Sequence, residues 1–383
     1  MLSNFMISVL RRGGPLWPPA NHRGHGTRSV LQTVRGQARG PAPTIGQGQH
    51  LQRDFAKPSF HCQSSAILRV EPSMSSLKQW RKTEPYDQQF LFVVTADFAG
   101  KSLLEFYTTK FKYKTPEYWH SLIAQGLVNL NHLPTSPDTV LTIGDEIRTK
   151  RLDVTEPDVN AQIEILYEEQ GLFVLNKKAP MPVHPSGRYF KNSLTTVLRE
   201  LYPEKTFHTI HRLDKWTTGV LILATDSKVA RHMHLQVEKQ RIEKTYGVLG
   251  VGAFPKTQFL VDEAIGRIDG VYRGTGDFVR NPKSSQTEFQ VMHSHPTQTN
   301  LHLLKATPLT GRTNQIRVHM QTAGGYVLYD PLYSPMQQAD DALIPFLGLH
   351  CREMKFLLPD GKPLSIQAPW PEPFLELFPK IAF

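Results

Sequence analysis

Within residues 209–225 one acidic residue, Asp214, is set among basic ones, with His211 and Arg212 before it and Lys215 after it. Positive charge on both sides favours the ionised form of a carboxylate, the form that attacks carbon or takes a proton. Leu213 and Trp216 flank the segment, and Thr217, Thr218 and Gly219 lead into the apolar run 220–224. Asp214 therefore reads as a nucleophile in a loop beside a buried strand. Later in the chain, Tyr246 follows Lys244 and Thr245, and Arg317 follows Gln315 and Ile316. Each residue also has a plainer reading. An Asp ahead of Trp216 and Gly219 can form a turn, Tyr246 can pack in a sheet, and Arg317 can sit on the wet face of an amphipathic helix. Taken singly, the plainer readings prevail.

Metal chemistry finds less support. The chain has 16 histidines, but His232 and His234 point to different faces of an expected helix. His184, His208, His211 and His319 show no compact ligand spacing, and His211 is better suited to supporting the Asp214 loop. A metal-dependent hydrolase would need clustered carboxylates, which the sequence does not offer. Cys62 and Cys351 are far apart, which argues against a disulfide framework or a thiolate metal site and for a reducing compartment. Neither a metal nor a cofactor is expected.

Four segments carry a joint signal: residues 176–187 (NKKAPMPVHPSG), 211–214 (HRLD), 244–246 (KTY) and 309–319 (LTGRTNQIRVH). In this order they resemble the RluA-type RNA pseudouridine synthases. The resemblance implies that Asp214 is the essential carboxylate, that Arg317 pairs with it, and that Tyr246 stacks on the target base and moves a proton. It implies that Arg212 fills the hole left when a base swings out of the RNA. Leu213 and Ile316 would line a dry wall, and Arg312 and Lys244 would contact substrate. The implied reaction detaches uracil from ribose, turns it and rejoins it through carbon, with no redox change and no energy source. Two positions depart from the pattern. Ala179-Pro180 stands where Pro-x-Gly is usual, and Asn314 stands where His is frequent; asparagine keeps hydrogen-bonding capacity, so the second departure bears on local substrate contacts. Together, the ordered segments outweigh the plainer readings. The alternative of a different class is a catalytically silent RNA-binding or ribosome-assembly factor, against which the intact Asp214, Tyr246 and Arg317 argue.

Charge placement agrees with a polyanionic partner. The net charge is +10, with +7 in residues 1–73, −4 in 74–175, +7 in 176–245 and none in the remainder. A basic segment around Asp214 suits transfer or ribosomal RNA, whose phosphates supply most of the affinity; a solvated basic face would look the same by charge alone. No apolar run is long enough to cross a bilayer. The first 53 residues contain no acid, and Arg11, Arg12, Arg23, Arg28, Arg35, Arg39 and Arg53 stand among Gly, Pro, Ser and Gln. Such a leader resembles an organellar transit peptide, mitochondrial or other. If instead the chain starts functionally at Met74, the location is cytoplasmic. A monomer is the default expectation.

The elements that must hold these residues follow from hydrophobic period and turn residues. Residues 1–85 show no period and are expected to be a disordered basic leader. Residues 86–152 read as a small α+β domain: strand FLFVVT, a helix over 101–110, a helix from Pro116 to Gln125 stopped by Gly126, and strands LVNLN and TVL. This order is similar to a ribosomal-protein S-four-like RNA-binding module, with Asn131-His132 in place of an Asn-Gly turn. Residues 153–158 are the expected linker and 160–383 the catalytic domain. There, strands IEILYE and LFVLNKK meet at the turn 169–171, Ser193 and Ser227 are expected caps, and a strand runs into Asp214. Strands EFQVMH and LHLLKAT precede a helix opened by Thr313 or Asn314, and KFLLP pairs with LSIQAP through Asp360-Gly361. Irregularly placed helices among many strands give an α+β class: a mixed, largely antiparallel sheet with peripheral helices.

Overall fold

The computed structural model describes residues 80–381 except 113, 255, 269–272 and 336–345. The leader to residue 79 lies outside them. Residues 80–85, expected to lack structure, begin instead with a short strand, Trp80–Arg81, paired with Val159–Asn160.

The first elements are β1 (Tyr86–Val93), α1 (Leu103–Lys110), α2 (Pro116–Ala124), β2 (Val128–Leu130), β3 (Leu133–Pro134) and β4 (Glu146–Val154). The strands form one sheet in the order β1-β4-β2-β3. Local chemistry explains the boundaries. Ser102 and Glu105 exchange side-chain and backbone bonds in a capping box on α1, while Thr115 caps α2 with Pro116 in its first turn. Gly126 takes φ +70 where α2 ends. Asn131 and His132 both adopt positive φ, 49° and 69°, so this pair turns the β2–β3 hairpin without glycine. Residues expected as the strand TVL form only an isolated bridge, Ser102 to Val140. Leu103, Phe106, Tyr107, Trp119 and Ile147 build a core of their own.

The main sheet is assembled from β5 (Ile165–Glu169), β6 (Leu172–Lys177), β7 (Thr218–Ala224), β8 (Glu243–Gly252), β9 (Gln258–Asp262), β10 (Gln286–Ser294), β11 (Leu301–Pro308), β12 (Gly325–Val327), β13 (Leu349–Leu357) and β14 (Pro363–Gln367). Its order is β9-β10-β11-β8-β13-β7-β6-β5, with β12 on β8, β14 on β13 and an eleventh, two-residue strand, His208–Thr209, on β7. All these pairs are antiparallel except β7 with β13, so the mixed, largely antiparallel α+β expectation holds. β6 is buried throughout and β7 almost so, which explains their unbroken apolar runs. Helices α3 (Leu194–Leu201), α4 (Ser227–Glu238), α5 (Gln315–Thr322) and α6 (Glu372–Leu377) complete the fold. Leu194, Val197 and Leu198 turn inward from α3, as do Ala230 and Met233 from α4.

Three local expectations are corrected. Ser193 precedes α3, but its hydroxyl donates to Phe190 O and makes no cap bond. Asp226, not Ser227, caps α4, accepting from Lys228 and Val229 amides; a carboxylate at a helix N-terminus also meets the dipole. The strand expected to run into Asp214 is only His208–Thr209. Asp214 lies beyond it, in the loop before β7.

Candidate active site

Asp214 is presented by a turn that is clamped from below. Thr217 N donates to Asp214 O at 3.1 Å. Leu213 and Trp216 on either side are buried in the core. Lys215 O accepts from Met181 N at 2.9 Å and from the Lys177 ammonium at 3.1 Å. The same ammonium bonds Lys178 O at 2.9 Å and Met181 O at 2.8 Å, so its N–H donors match the carbonyls that surround it. Burial lowers Lys177 to about 7, with the Asp214 carboxylate pulling upward. His211 Nε2 accepts from Ile222 N at 3.0 Å, fixing the loop entrance to β7. Desolvation, then the Lys244 charge, holds His211 down at about 3. The ring is therefore neutral, which the acceptor role requires.

The loop ends where β7 meets β13. Gly219 has φ +108, and a Cβ there would lie 2.2 Å from Cys351 O. Only glycine permits this approach. On the far side of β13, Cys351 is opposite Tyr246 of β8, with a register shift between Thr245 and Tyr246. Such a shift re-aims a side chain, and Tyr246 is buried against Cys351 close enough to Asp214 to feel its charge. Desolvation, then Cys351 and Asp214, push the Tyr246 phenol well above its usual range. It stays protonated and can donate.

Arg317 reaches the carboxylate from α5. Its Nη1 donates to Asp214 Oδ2 at 2.9 Å and to Asn314 Oδ1 at 3.2 Å. Its Nε and Nη2 donate to Asp330 Oδ2 and Oδ1, each at 2.7 Å. The Tyr333 ring lies 5.1 Å from the guanidinium carbon. Side-chain exposure is 6% for Arg317, 0% for Asp330 and 25% for Asp214. Asp330 is thus the buried counter-ion, and Asp214 is the carboxylate that solvent or a ligand can reach. Burial opposes the Arg317 charge, but Asp330 and Asp214 raise its pKa above the ordinary value. Backbone geometry serves the same end: Asn314 and Tyr329 both have φ 57, a region few non-glycine residues adopt and often a mark of functional sites.

The sequence candidates divide accordingly. Asp214, Tyr246 and Arg317 come together, with Leu213 and Ile316 buried around them. Arg212 is exposed beside the turn. Lys244 is half-buried on β8, and desolvation lowers its pKa while Cys351 raises it. Arg312 lies before α5, with Nε on Ser284 O at 3.0 Å; it makes no described bond to the trio. Three contributors were not singled out beforehand. Lys177 lies within the 176–187 segment without a role of its own, Asn314 figures only as a departure from the pattern, and Asp330 has no place in it. A lone acid in the apolar stretch YVLYDPLY was the available signal, because a buried carboxylate demands a cation. Chemically, the site offers one reachable carboxylate held by a guanidinium that uses four of its five N–H donors, with a protonated phenol near it. Among the described residues no His, Cys, Asp and Glu side chains group as a metal site.

Residues 171–322 match the family model described as RNA pseudouridylate synthase. The chain is 30% identical over 303 residues to the ribosomal large subunit pseudouridine synthase C of Escherichia coli K12, covering 74% of this chain and 93% of that one. It is 32% identical over 255 residues to the human pseudouridylate synthase RPUSD2, covering 66% of this chain and 46% of that one. To the mitochondrial tRNA pseudouridine(32) synthase of Saccharomyces cerevisiae it is 29% identical over 255 residues, covering 66% of this chain and 55% of that one. The chain spans about half the length of the human and yeast relatives.

Proposed function

The chain belongs to the RNA pseudouridylate synthase family, of the RluA-like kind, and we propose that it isomerises specific uridines to pseudouridine in structured transfer or ribosomal RNA. The observation that carries the reading is the reachable Asp214 carboxylate fixed by the buried Arg317–Asp330 pair. In the reaction the bond from C1′ to N1 breaks and a bond from C1′ to C5 forms, while the C5 proton is lost and N1 gains one. Atoms and electrons balance without a cofactor. Asp214 serves as nucleophile on the sugar, nucleophile on the base or base toward a ribose proton; each route needs the same ionised oxygen at the same place. Arg317 orients it, and Tyr246 supplies a stacking surface and a proton donor. Leu213 and Ile316 keep the detached base dry. Arg212, exposed beside the turn, enters the gap left by the flipped nucleotide, and Arg312 and Lys244 assist binding.

In the same proposal residues 86–152 act as an S-four-like RNA-binding domain, supported by the packing of α1 and α2 with the four-stranded sheet, and residues 160–383 form the catalytic domain. Residues 1–73 direct the protein to an organelle, a reading supported by the mitochondrial relative in yeast. The working unit is a monomer. The rival reading, a silent RNA-binding factor, has no use for a carboxylate held at the surface by a buried arginine.

Carbodiimide mapping of pseudouridine in RNA from cells carrying the native protein or Asp214→Ala tests the proposal. Sites present with the native protein and lost with the variant are expected, and they name the substrate. An identical map in both strains leaves the binding factor as the better account.

A further inference from the structure

Three short strands, Ile265–Arg267, Arg273–Gly274 and Arg280–Lys283, form a small sheet separate from the main one. In its register Arg267 lies opposite Arg273 on one side and Arg280 on the other. Three arginines therefore stand in one row across the sheet. Like charges directly opposite each other destabilise a ladder, so the row is a cost unless something compensates it. Among the described residues, Arg267, Arg273, Arg280 and Lys283 form no ion pair. Arg267, Arg280 and Lys283 are exposed, and among the described residues the buried Arg273 Nη1 has no hydrogen-bond partner. A register shift between Ile265 and Arg267 lets one strand bury Ile265 against Val318 and Tyr333 while turning Arg267 to solvent.

This sheet is fastened to the active site. Arg273 N donates at 3.1 Å to the hydroxyl of Tyr333, whose ring covers Arg317. Asn314 Nδ2 donates to the same hydroxyl at 3.0 Å. The bond from Arg312 to Ser284 O ties the end of the sheet to the loop before α5. Between the second and third strands Phe278 is 70% exposed, a flat apolar surface of the kind on which an unpaired base stacks.

We infer that the arginine row is a clamp for the phosphate backbone of the RNA next to the modified uridine. The inference rests on the RNA substrate proposed above and adds a binding element outside the four signature segments. Phosphates supply counter-charge to the exposed arginines, and the link through Tyr333 sets the clamp at a fixed place relative to Asp214.

The test is a salt series of filter binding with bulk transfer RNA, on full-length protein carrying Asp214→Asn so that no turnover occurs. Adding Arg267→Gln and Arg280→Gln should lower the slope of log K against log salt by about 1.5, from roughly 0.7–0.9 per phosphate contact. At ~0.1 M salt the affinity should fall about tenfold or more. Thermal stability should hold or rise as the repulsion is relieved, which separates lost contacts from lost folding. The Arg267→Lys, Arg280→Lys pair should keep the slope. An unchanged slope in the Gln pair, or an equal loss in the Lys pair, overturns the clamp. Should the wild type make no pseudouridine while the slope still falls, the proposed reaction fails and the clamp stands.

Discussion

Arg317 binds two carboxylates, and they are not equivalent. Asp330 takes the planar Nε–Nη2 edge at 2.7 Å on both bonds, the bidentate geometry that fixes a guanidinium most firmly. What remains for Asp214 is one bond at 2.9 Å. The guanidinium is therefore a mount that orients Asp214 while its own charge is largely balanced from behind. Removing the mount's anchor should cost more than its distance from substrate suggests. Asp330→Ala leaves a buried cation without its partner, a loss of about 3–5 kcal/mol in such cases, and urea denaturation should show it. Asp330→Asn keeps the shape but turns an amide against an N–H donor; turnover should drop at least about tenfold, chiefly in kcat. Asn314 allows the opposite expectation. It sits at φ 57, where His is also enriched among non-glycine residues, and its carbonyl accepts from Arg317. Asn314→His should therefore keep most activity, whereas Asn314→Val, which is β-branched and cannot accept, should lose most of it. Single-turnover rates with a substrate RNA decide both.

At the level of elements, β7 is the beam from which the site hangs, and two neutral histidines brace it. His211 accepts from Ile222 N at 3.0 Å, and His350 Nδ1 pairs with Thr218 Oγ1 at 2.8 Å. Desolvation holds both rings down at about 3, against an ordinary 6.5. With the folded value below the unfolded one, the unfolded chain binds more protons between those limits. Stability should therefore be intact above about 6.5 and fall as the pH drops toward about 3, at up to about 1.4 kcal/mol per pH unit for each ring. His211→Gln, which keeps an acceptor and cannot titrate, should flatten part of that slope in denaturation curves at pH 7, 6 and 5. Gly219→Ala attacks the same beam, since its Cβ would meet Cys351 O at 2.2 Å. A cost on the order of 3 kcal/mol or more is expected, read as a lower melting temperature. Much of this architecture was legible beforehand. The turn 169–171, the Asp360-Gly361 hairpin and the helix after Asn314 were marked by local turn chemistry, and the buried strands by unbroken apolar runs. What could not be read came from contacts between distant residues. The parallel pairing of β7 with β13, the bulge that aims Tyr246 and the reach of Asp330 to Arg317 leave no periodic trace. The cap on α4 was misread because Asp226 and Ser227 are both good capping residues, and only the backbone decides between them.

For the molecule as a whole, the question is how tightly the amino-terminal elements depend on the part that carries Asp214 and Arg317. The segment 153–158, expected as a linker, is locked in place. Glu156 accepts from Phe190, Lys191 and Asn192 amides at 2.7–2.9 Å and from the Tyr86 hydroxyl at 2.5 Å. Burial opposes its charge, but those bonds hold its pKa below the ordinary value. Arg81 adds bonds to Asn192 and Glu200. Cutting the chain anywhere between 80 and 93 would therefore also damage the part that carries Asp214 and confuse any RNA-binding measurement. The register gives a cleaner cut. Val93 pairs with Glu146 across β1 and β4, so residues 94–145 can be replaced by an Asn-Gly turn that leaves Tyr86, Glu156 and the β1–β4 ladder intact. If residues 86–152 grip RNA, this variant should keep its core fold and its single-turnover rate at saturating RNA. Its affinity for bulk transfer RNA should fall about tenfold or more, with a shallower salt dependence. Equal affinity would reduce the excised part to packing. If the chemistry rests on Asp214, Arg317, Asp330 and Tyr246 as proposed, turnover by the variant and by the full chain should be the same with and without EDTA. A loss on chelation that added metal restores would put a metal into the reaction and break the assignment of the chemistry to the carboxylate alone.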